Sequence, residues 1–543
     1  MVFARRSTTL LAAIIASCAM VLSLTACTSD NKTVVDGQTT VTSNSAGGVA
    51  VFTPSDGITL NQQTPLNKWA KLVPDLAKAL ADAGFKKGDI DHTTSDSLAK
   101  QSRAIQDFVV DHLSNNTTDD SGIAIAPDNM TLLVAPVVEA DASTRQYGDY
   151  ISQNLSTNDV TDEGATSDGD SSEDSSSKDD SSNTESDSTA SDEQAQAVDR
   201  LVSSLKLAKE SGMHVVLLGN SIEGYRPDAF VKFSDAQTIG KLQAEKMVSK
   251  LKLDKASKDN PKYIEVLLPY TAMDEKGNAN DSTFAQEAFR GIWQVLGSYY
   301  QKGVVESPSG TLDGKSTEND WQAVAYDAAK EGSTAKVLDK RLAKTDGQST
   351  LTRIDGIITM NDYIASEVVK ELDDLGYTGS AADINPQITI SGIVGNITGK
   401  KDLSRDAVPD PIKSPENDNA NDSSSSDDDA DKDTSASDKD RDSQWPLVTG
   451  YGAYVSNIPS IVNGKQWMTG MEDRQTIATD IAQACAKLNK DEALNSMPSI
   501  RNSEVGGVKK IPTINEPLLA VSAGNLKSAL IDPGYISLAD AGL

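Results

Sequence analysis

The sequence predicts an α/β protein of two lobes, each a parallel β-sheet covered by helices on both faces. Two observations carry this. Short β-rich runs alternate with amphipathic helices, and several of those runs are continuously apolar, as strands buried on both faces must be. The alternation also restarts part-way along the chain, which asks for a second sheet. At 543 residues the chain exceeds one ordinary domain and has ample length for two cores.

In chain order, residues 47–54 (GGVAVFTP) read as a strand and 66–84 as a helix with apolar residues near i, i+3, i+4 and i+7, ended by Gly84. Residues 101–113 are a second helix, 130–138 (MTLLVAPVV) a buried strand and 194–210 a third helix. A strand at 213–219 (MHVVLLG) precedes a helix at 236–251. The second series begins with a strand at 263–269 (YIEVLLP), a helix at 284–299, a strand at 303–307 and a helix at 321–341. Strand 355–360 (DGIITM), helix 363–375 and strands 388–394 and 446–452 complete it. In such sheets ligands bind beyond the carboxyl ends of the strands, here between the lobes.

The charge is unevenly placed. The net charge is −30, with 38% hydrophobic and 5% aromatic residues. Residues 159–193 hold 13 acidic side chains against one Lys, and residues 416–442 hold 11 against three basic ones. Neither stretch has apolar periodicity and like charges repel, so both are expected to be disordered inserts. Together they carry −20 of the −30. Asp429, Asp431 and Asp433 have the alternate spacing of a calcium loop, but Thr434 stands where that loop needs Gly. A chain so acidic, without a basic patch, is not built to neutralise phosphates, which excludes nucleic acid as a partner.

At the N-terminus, Arg5 and Arg6 precede an apolar stretch from Leu10 to Leu24, too short for a good spanning helix and expected to be an export signal over 1–26. Its end, Leu24-Thr25-Ala26-Cys27, resembles the lipobox of bacterial lipoproteins, so Cys27 is the expected lipidation site; more than one acyl chain on it anchors stably. A plain signal with an incidental Cys is the alternative. The polar stretch that follows, within 27–47, suits a flexible tether. Cys18 leaves with the signal and Cys27 carries lipid, so Cys485 is the one thiol left; it lies on the apolar stripe of a helix and is expected to be inert core. With His92, His112 and His214 none near a Cys, neither a metal site nor a Cys–His nucleophile is expected, and no cofactor.

Enzyme motifs fail on inspection. SGTLDGKS (309–316) has Ser309 where a P-loop needs its first Gly. GNSIEG (219–224) places its second Gly one residue late for a nucleophile elbow at Ser221.

Ordered motifs point to a family. LNKWAKLVPDLAKALADAGF places Trp69 at the start of the first helix, with Lys68 where the family has Arg; QSRAIQDFVV and LLVAPVV follow, then FSDAQTIGKLQAEKMV, DGIITMND, PLVTGYGAYVSNIPSIVNGKQWMTGMED and IPTINEPLLAVSAGNLKSALIDPGYIS. In this order behind a lipobox, the chain resembles the substrate-binding lipoproteins of bacterial monosaccharide ABC importers, a type I periplasmic-binding-protein fold, nearest the xylose and multiple-sugar binders. The resemblance implies two lobes joined by three hinge crossings, near residues 220–235, 466–469 and 510–517. It implies an N-lobe at 48–225, a C-lobe at 226–468, an N-lobe return at 469–510 and a C-lobe terminal segment at 511–543. It further implies a monomer on the extracytoplasmic face of the cell membrane, with a monosaccharide or related sugar as ligand and an ABC permease as partner, and no enzymatic activity.

The candidate ligand-binding residues are Trp69, Asn220, Ser234, Asp235, Asn361, Asp362, Tyr451 and Gln466. Amides and hydroxyls both donate and accept, which suits sugar hydroxyls. Trp69, Tyr451 or Trp467 offers a face for stacking. Asn220, Ser234 and Asn361 end strands, which equally suits helix caps; Asp235 reads as a cap or hinge residue, and Asp362 as a ligand acceptor or a cap. Trp69 equally suits a plug on the lobe surface. The sequence departs from the family where an Asp-Arg pair is replaced by Gly219 and Asn220, and where Gly-Gln-Asp becomes Gly450-Tyr451-Gly452. Ala236 replaces an Asn. These changes leave a cleft poor in charge, and keep open a sensing role without transport or, less well supported, a surface glycosidase using Asp362.

Overall fold

A computed structural model describes residues 34–35, 38–39, 46–55, 65–115, 125–138, 144–156, 185–273, 280–343, 350–381 and 444–543. The signal over 1–26, Cys27, the strand at 388–394, the insert at 416–442 with its calcium-like Asp spacing, and most of the tether lie outside these residues. Within the tether, Val34–Val35 pairs antiparallel with Gln38–Thr39. That pair falls in a separate unit, residues 1–44; everything below concerns the unit Ser45–Leu543.

Among the described residues this unit holds two main sheets and two short two-stranded pairings, Asn154–Leu155 with Ser221–Ile222 and Leu268–Pro269 with Ala325–Tyr326. The strands of the first are β1 (Gly48–Pro54), β2 (Ile90–Ser95), β3 (Met130–Val134), β4 (His214–Leu218) and β5 (Ala229–Lys232), and those of the second begin with β6 (Lys262–Val266), β7 (Val305–Glu306), β8 (Gly356–Ile358), β9 (Leu447–Tyr451) and β10 (Met468–Met471). β11 (Ile500–Val505) and β12 (Val508–Asn515) return to the first sheet and β13 (Leu519–Ser522) to the second. The orders are β11-β12-β5-β4-β3-β1-β2 and β7-β6-β8-β9-β10-β13. Pairing is parallel throughout except β11 with β12 and β10 with β13. The edge strand β2 (IDHTTS) escapes the hydropathy pattern because its middle is exposed and polar, as an edge that must not recruit another strand should be.

Among the described residues the chain passes between the sheets three times, at 233–235, 472–473 and 516–518. The lobe limits expected from sequence therefore move. Ala229–Lys232, assigned to the C-lobe, pairs in the N-lobe sheet; Met468–Met471 stays with the C-lobe past residue 468; Val508–Asn515 stays with the N-lobe past 510. The reason is that each crossing follows a complete sheet strand, and strand completion is a non-local pairing that the local pattern does not encode.

The helices are α1 (Trp69–Asp82), α2 (Leu98–Asn115), α3 (Glu185–Glu210), α4 (Ala236–Leu251), α5 (Thr283–Gln301), α6 (Ser333–Arg341), α7 (Asp362–Leu375), α8 (Ile458–Val462) and α9 (Arg474–Leu488). Two expectations are corrected here. The insert read as disordered over 159–193 ends in helix, because α3 begins at Glu185. The single helix expected over 321–341 is broken: Trp321–Val324 is one turn, Ala325–Tyr326 pairs with Leu268–Pro269, and α6 starts after Gly332 at φ +71°.

Each main sheet packs buried apolar clusters against both of its faces. One N-lobe cluster packs α1 and α9 (Leu72, Leu76, Leu80, Ile477, Ile481) against Val49, Val216 and Val231; the other packs α2 and α3 against Ala50, Leu132 and Leu217. In the C-lobe, α4 and α5 cover one face and α6 and α7 the other. Cys485 is fully buried in the first cluster and burial pushes its thiol far up, so it is an unreactive apolar filler. No helix among the described residues is long and apolar enough to cross a membrane.

Candidate functional site

The carboxyl ends of the strands of both lobes meet along a seam, and the side chains there bond to one another. The C-lobe half is organised by Asp362, the first residue of α7. It is fully buried, and both oxygens are engaged: Oδ1 accepts from Gln466 Nε2 at 2.7 Å, and Oδ2 from Thr469 Oγ1 and the Tyr454 N–H, both at 2.9 Å. Burial outweighs these donors and raises its carboxyl to about 6. Gln466 is held from the other side, its Oε1 accepting from Asn457 Nδ2 at 2.8 Å. A Cβ on Gly450 would lie 2.2 Å from Asp362 Oδ1 and 2.7 Å from Gln466 Nε2, and Gly452 sits at φ +114°. The Gly-Tyr-Gly sequence is thus the imprint of this packing: glycine where the Asp362–Gln466 pair presses, glycine where the chain turns left-handed.

Asn361 precedes Asp362 and caps α7, its Oδ1 accepting from the Ile364 N–H at 2.9 Å. Its Nδ2 donates to Gln146 Oε1 at 3.0 Å, across to the N-lobe loop 144–156. Met360 just before it holds φ +68°, a strained value for a long side chain, and its carbonyl accepts from Gln243 Nε2 of α4 at 3.0 Å. The loop from the N-lobe reaches further. Tyr454 Oη donates to the Gln146 carbonyl at 2.6 Å, and the Tyr147 ring packs 4.6 Å from Phe284 and 6.2 Å from Tyr451.

Tyr451 stands at the centre. Its hydroxyl lies 2.5 Å from Ser234 Oγ and accepts from Asn67 Nδ2 at 3.0 Å. Ser234, in the first crossing, donates its N–H to Glu472 Oε1 at 2.6 Å, and the Glu472 N–H donates to Asn67 Oδ1 at 3.4 Å. Burial raises Glu472 to about 7 and lifts the Tyr451 hydroxyl well above its ordinary range.

The remaining candidates stand apart from this ring. Trp69 is buried in T-shaped contact with the rings of Tyr150 (5.1 Å) and Phe233 (5.7 Å), as part of an N-lobe aromatic cluster. Beside it Lys68 pairs with Asp149 at 2.7 Å. Asn220 is pinned at both ends, accepting from the Gln153 N–H and donating to the Pro136 carbonyl, each at 2.9 Å. Asp235 caps α4 in a reciprocal box with Thr238 and pairs with Lys232 at 3.0 Å. The structure therefore brings together Asn361, Asp362, Tyr451, Gln466 and Ser234, and leaves Trp69, Asn220 and Asp235 in separate local roles.

Sequence reasoning missed Asn67, Gln146, Tyr147, Tyr454 and Glu472. Two tyrosines, Tyr147 and Tyr150, close together in an otherwise polar stretch were the available signal for the loop; the partners of a buried Asn or Glu leave no local pattern.

No protein-family model and no curated protein matches the chain. Among solved structures, it is similar to a solute-binding protein of an ABC transporter from Clostridium phytofermentans with bound β-D-glucose, at 17% identity and TM-score 0.44, over 91% of this chain and 99% of that one. It is similar to a carbohydrate-transporter solute-binding protein from Chloroflexus aurantiacus in complex with D-glucose (18%, TM-score 0.42, 92% and 98%). A periplasmic ribose ABC transporter protein from Conexibacter woesei follows (13%, TM-score 0.42, 90% and 96%).

Proposed function

We propose that this chain is an extracytoplasmic solute-binding protein that captures a small neutral polyhydroxylated solute, a monosaccharide or related sugar, between its lobes and hands it to an ABC importer. The observation that carries the reading is the seam. Amides and hydroxyls from both lobes (Asn67, Gln146, Ser234, Asn361, Tyr451) converge where parallel strands end, and they are of the types that exchange hydrogen bonds with sugar hydroxyls. Three chain crossings between two sheets suit lobes that move as bodies about a hinge.

Within the reading, Ser234, Asn361 and Tyr451 contact the solute, while Asp362 and Gln466 hold the turn that presents them. Asn220 and Asp235 shape the strand end and the α4 cap, and Trp69 supports the N-lobe side through its aromatic cluster. The apolar stretch before Cys27 supports export and lipid anchoring of the chain.

The test is a thermal-midpoint screen of the chain against D-glucose, D-xylose, D-ribose and D-galactose. A ligand at a hundredfold excess over its dissociation constant stabilises by about 2.7 kcal/mol, so the midpoint rises for the cognate class. If no monosaccharide raises the midpoint while amino acids or other solutes do, the sugar assignment is wrong.

A further inference from the structure

Glu472 closes a ring of hydrogen bonds that ties two of the three crossings to both lobes. It lies in the second crossing and accepts from the Ser234 N–H of the first at 2.6 Å; Ser234 Oγ meets Tyr451 Oη of the C-lobe at 2.5 Å; Tyr451 accepts from Asn67 of the N-lobe at 3.0 Å; Asn67 Oδ1 accepts from the Glu472 N–H at 3.4 Å. Separating the lobes pulls Tyr451 from Asn67 and admits water to the carboxyl.

No cation balances that carboxyl among the described residues. From the first crossing, Asp235 faces it with the same sign, and Lys232 is engaged by Asp235 at 3.0 Å. Around α9, Asp473 accepts from Tyr535 Oη at 3.0 Å, while Arg474 is drawn to Asp75 at 2.6 Å and lies over the Tyr535 ring. Ahead of α1, Lys68 is held by Asp149. From β9 comes the neutral Tyr451 hydroxyl. A buried carboxylate so placed is poorly tolerated ionised and well tolerated protonated, whereas in water the reverse holds.

We propose that Glu472 is a proton-controlled latch: protonated, it keeps the ring and the lobes joined; ionised, it favours their separation, so acid strengthens closure. This rests on the reading of the molecule as a binder whose lobes separate. Burial lifts the carboxyl from 4.5 to about 7, which sets the working window between those values. Closure takes up a proton within it, and by linkage closure weakens as the pH rises through that window.

The test is an inter-lobe distance measurement by spin labels on the full chain carrying Cys18→Ser, Cys27→Ser, Asp107→Cys and Lys370→Cys, both new sites being exposed. No solute is added. The expected result is a shift to longer distances between pH 5 and pH 8, absent in Glu472→Gln, which keeps the short distribution at both. A wild-type distribution unchanged between pH 5 and pH 8, or a Glu472→Gln chain that shifts as the wild type does, overturns the latch. If the distances shift with pH while no sugar raises the thermal midpoint, the latch stands and the sugar reading fails. If a sugar binds while the distances stay the same at both pH values, the sugar reading stands and the latch fails.

Discussion

Asp362 and Glu472 are both fully buried carboxyls with no cation in contact among the described residues, yet their surroundings differ in kind. Asp362 is held by donors of its own lobe: Gln466, Thr469 and the Tyr454 N–H. It also sits in the first turn of α7, where the helix dipole favours an acid. Glu472 takes its bond from a different crossing, and its ring is completed by residues of both lobes. Two acids equally removed from water thus serve different levels of structure. One fixes a turn within a lobe, and the other links lobes to hinge.

The largest effect expected from breaking this pairing is at Asp362. Asp362→Ala strands a buried amide, a hydroxyl and a backbone N–H, and should destabilise by roughly 4 kcal/mol, read from denaturant unfolding; each unsatisfied buried group costs about 1–3 kcal/mol. Tyr147→Ala comes next, at about 3 kcal/mol, because the ring is buried against Phe284 and Tyr451. A loss below about 1 kcal/mol would mean that the loop 144–156 does not hold the seam.

The pH dependence separates the two acids. Asp362 rises from 3.8 to about 6 and Glu472 from 4.5 to about 7, both through burial, so the folded chain keeps protons that the unfolded chain has released. The stability each group contributes is complete below its unfolded value and is lost as pH rises through its folded value. Glu472→Gln should therefore flatten the fall in thermal midpoint towards pH 7, and Asp362→Asn the fall centred below pH 6. A difference of roughly 3 kcal/mol between pH 4.5 and pH 8 is the scale for Glu472. An unchanged profile in Glu472→Gln would show that the carboxyl is ionised throughout.

Gly450→Ala should destabilise by about 2 kcal/mol, since its Cβ meets Asp362 Oδ1 at 2.2 Å. Lys68→Met is the smallest, at about 0.5 kcal/mol, because the Lys68–Asp149 pair is partly solvated. A larger loss there would show that the pair, and not the aromatic cluster behind it, anchors the start of α1.

How much of this was legible in the sequence follows from the range of each interaction. Helices with a clear apolar stripe were readable: the expected 236–251 coincides with α4, and 363–375 falls one residue short of α7. The helix expected at 321–341 broke because Ala325–Tyr326 pairs with a strand more than fifty residues earlier. Asn361, Ser234 and Tyr451 were legible as residues at strand ends because strand ends are local features. Whether a polar group faces a ligand or another residue is decided elsewhere: Asn220 is engaged by residues 67 and 84 positions away. Glu472 was invisible for the same reason, since nothing near it in sequence says that Ser234 will be its partner.

The most direct test is calorimetric titration of the wild-type chain and of an Asn361→Ala, Tyr451→Phe double variant with the same monosaccharides. The account predicts saturable heat from a monosaccharide in the wild type and at least about tenfold weaker binding in the variant, the equivalent of about 1.4 kcal/mol. Equal affinity in the two chains, or heat only from a solute of another class, would contradict a sugar site at this seam.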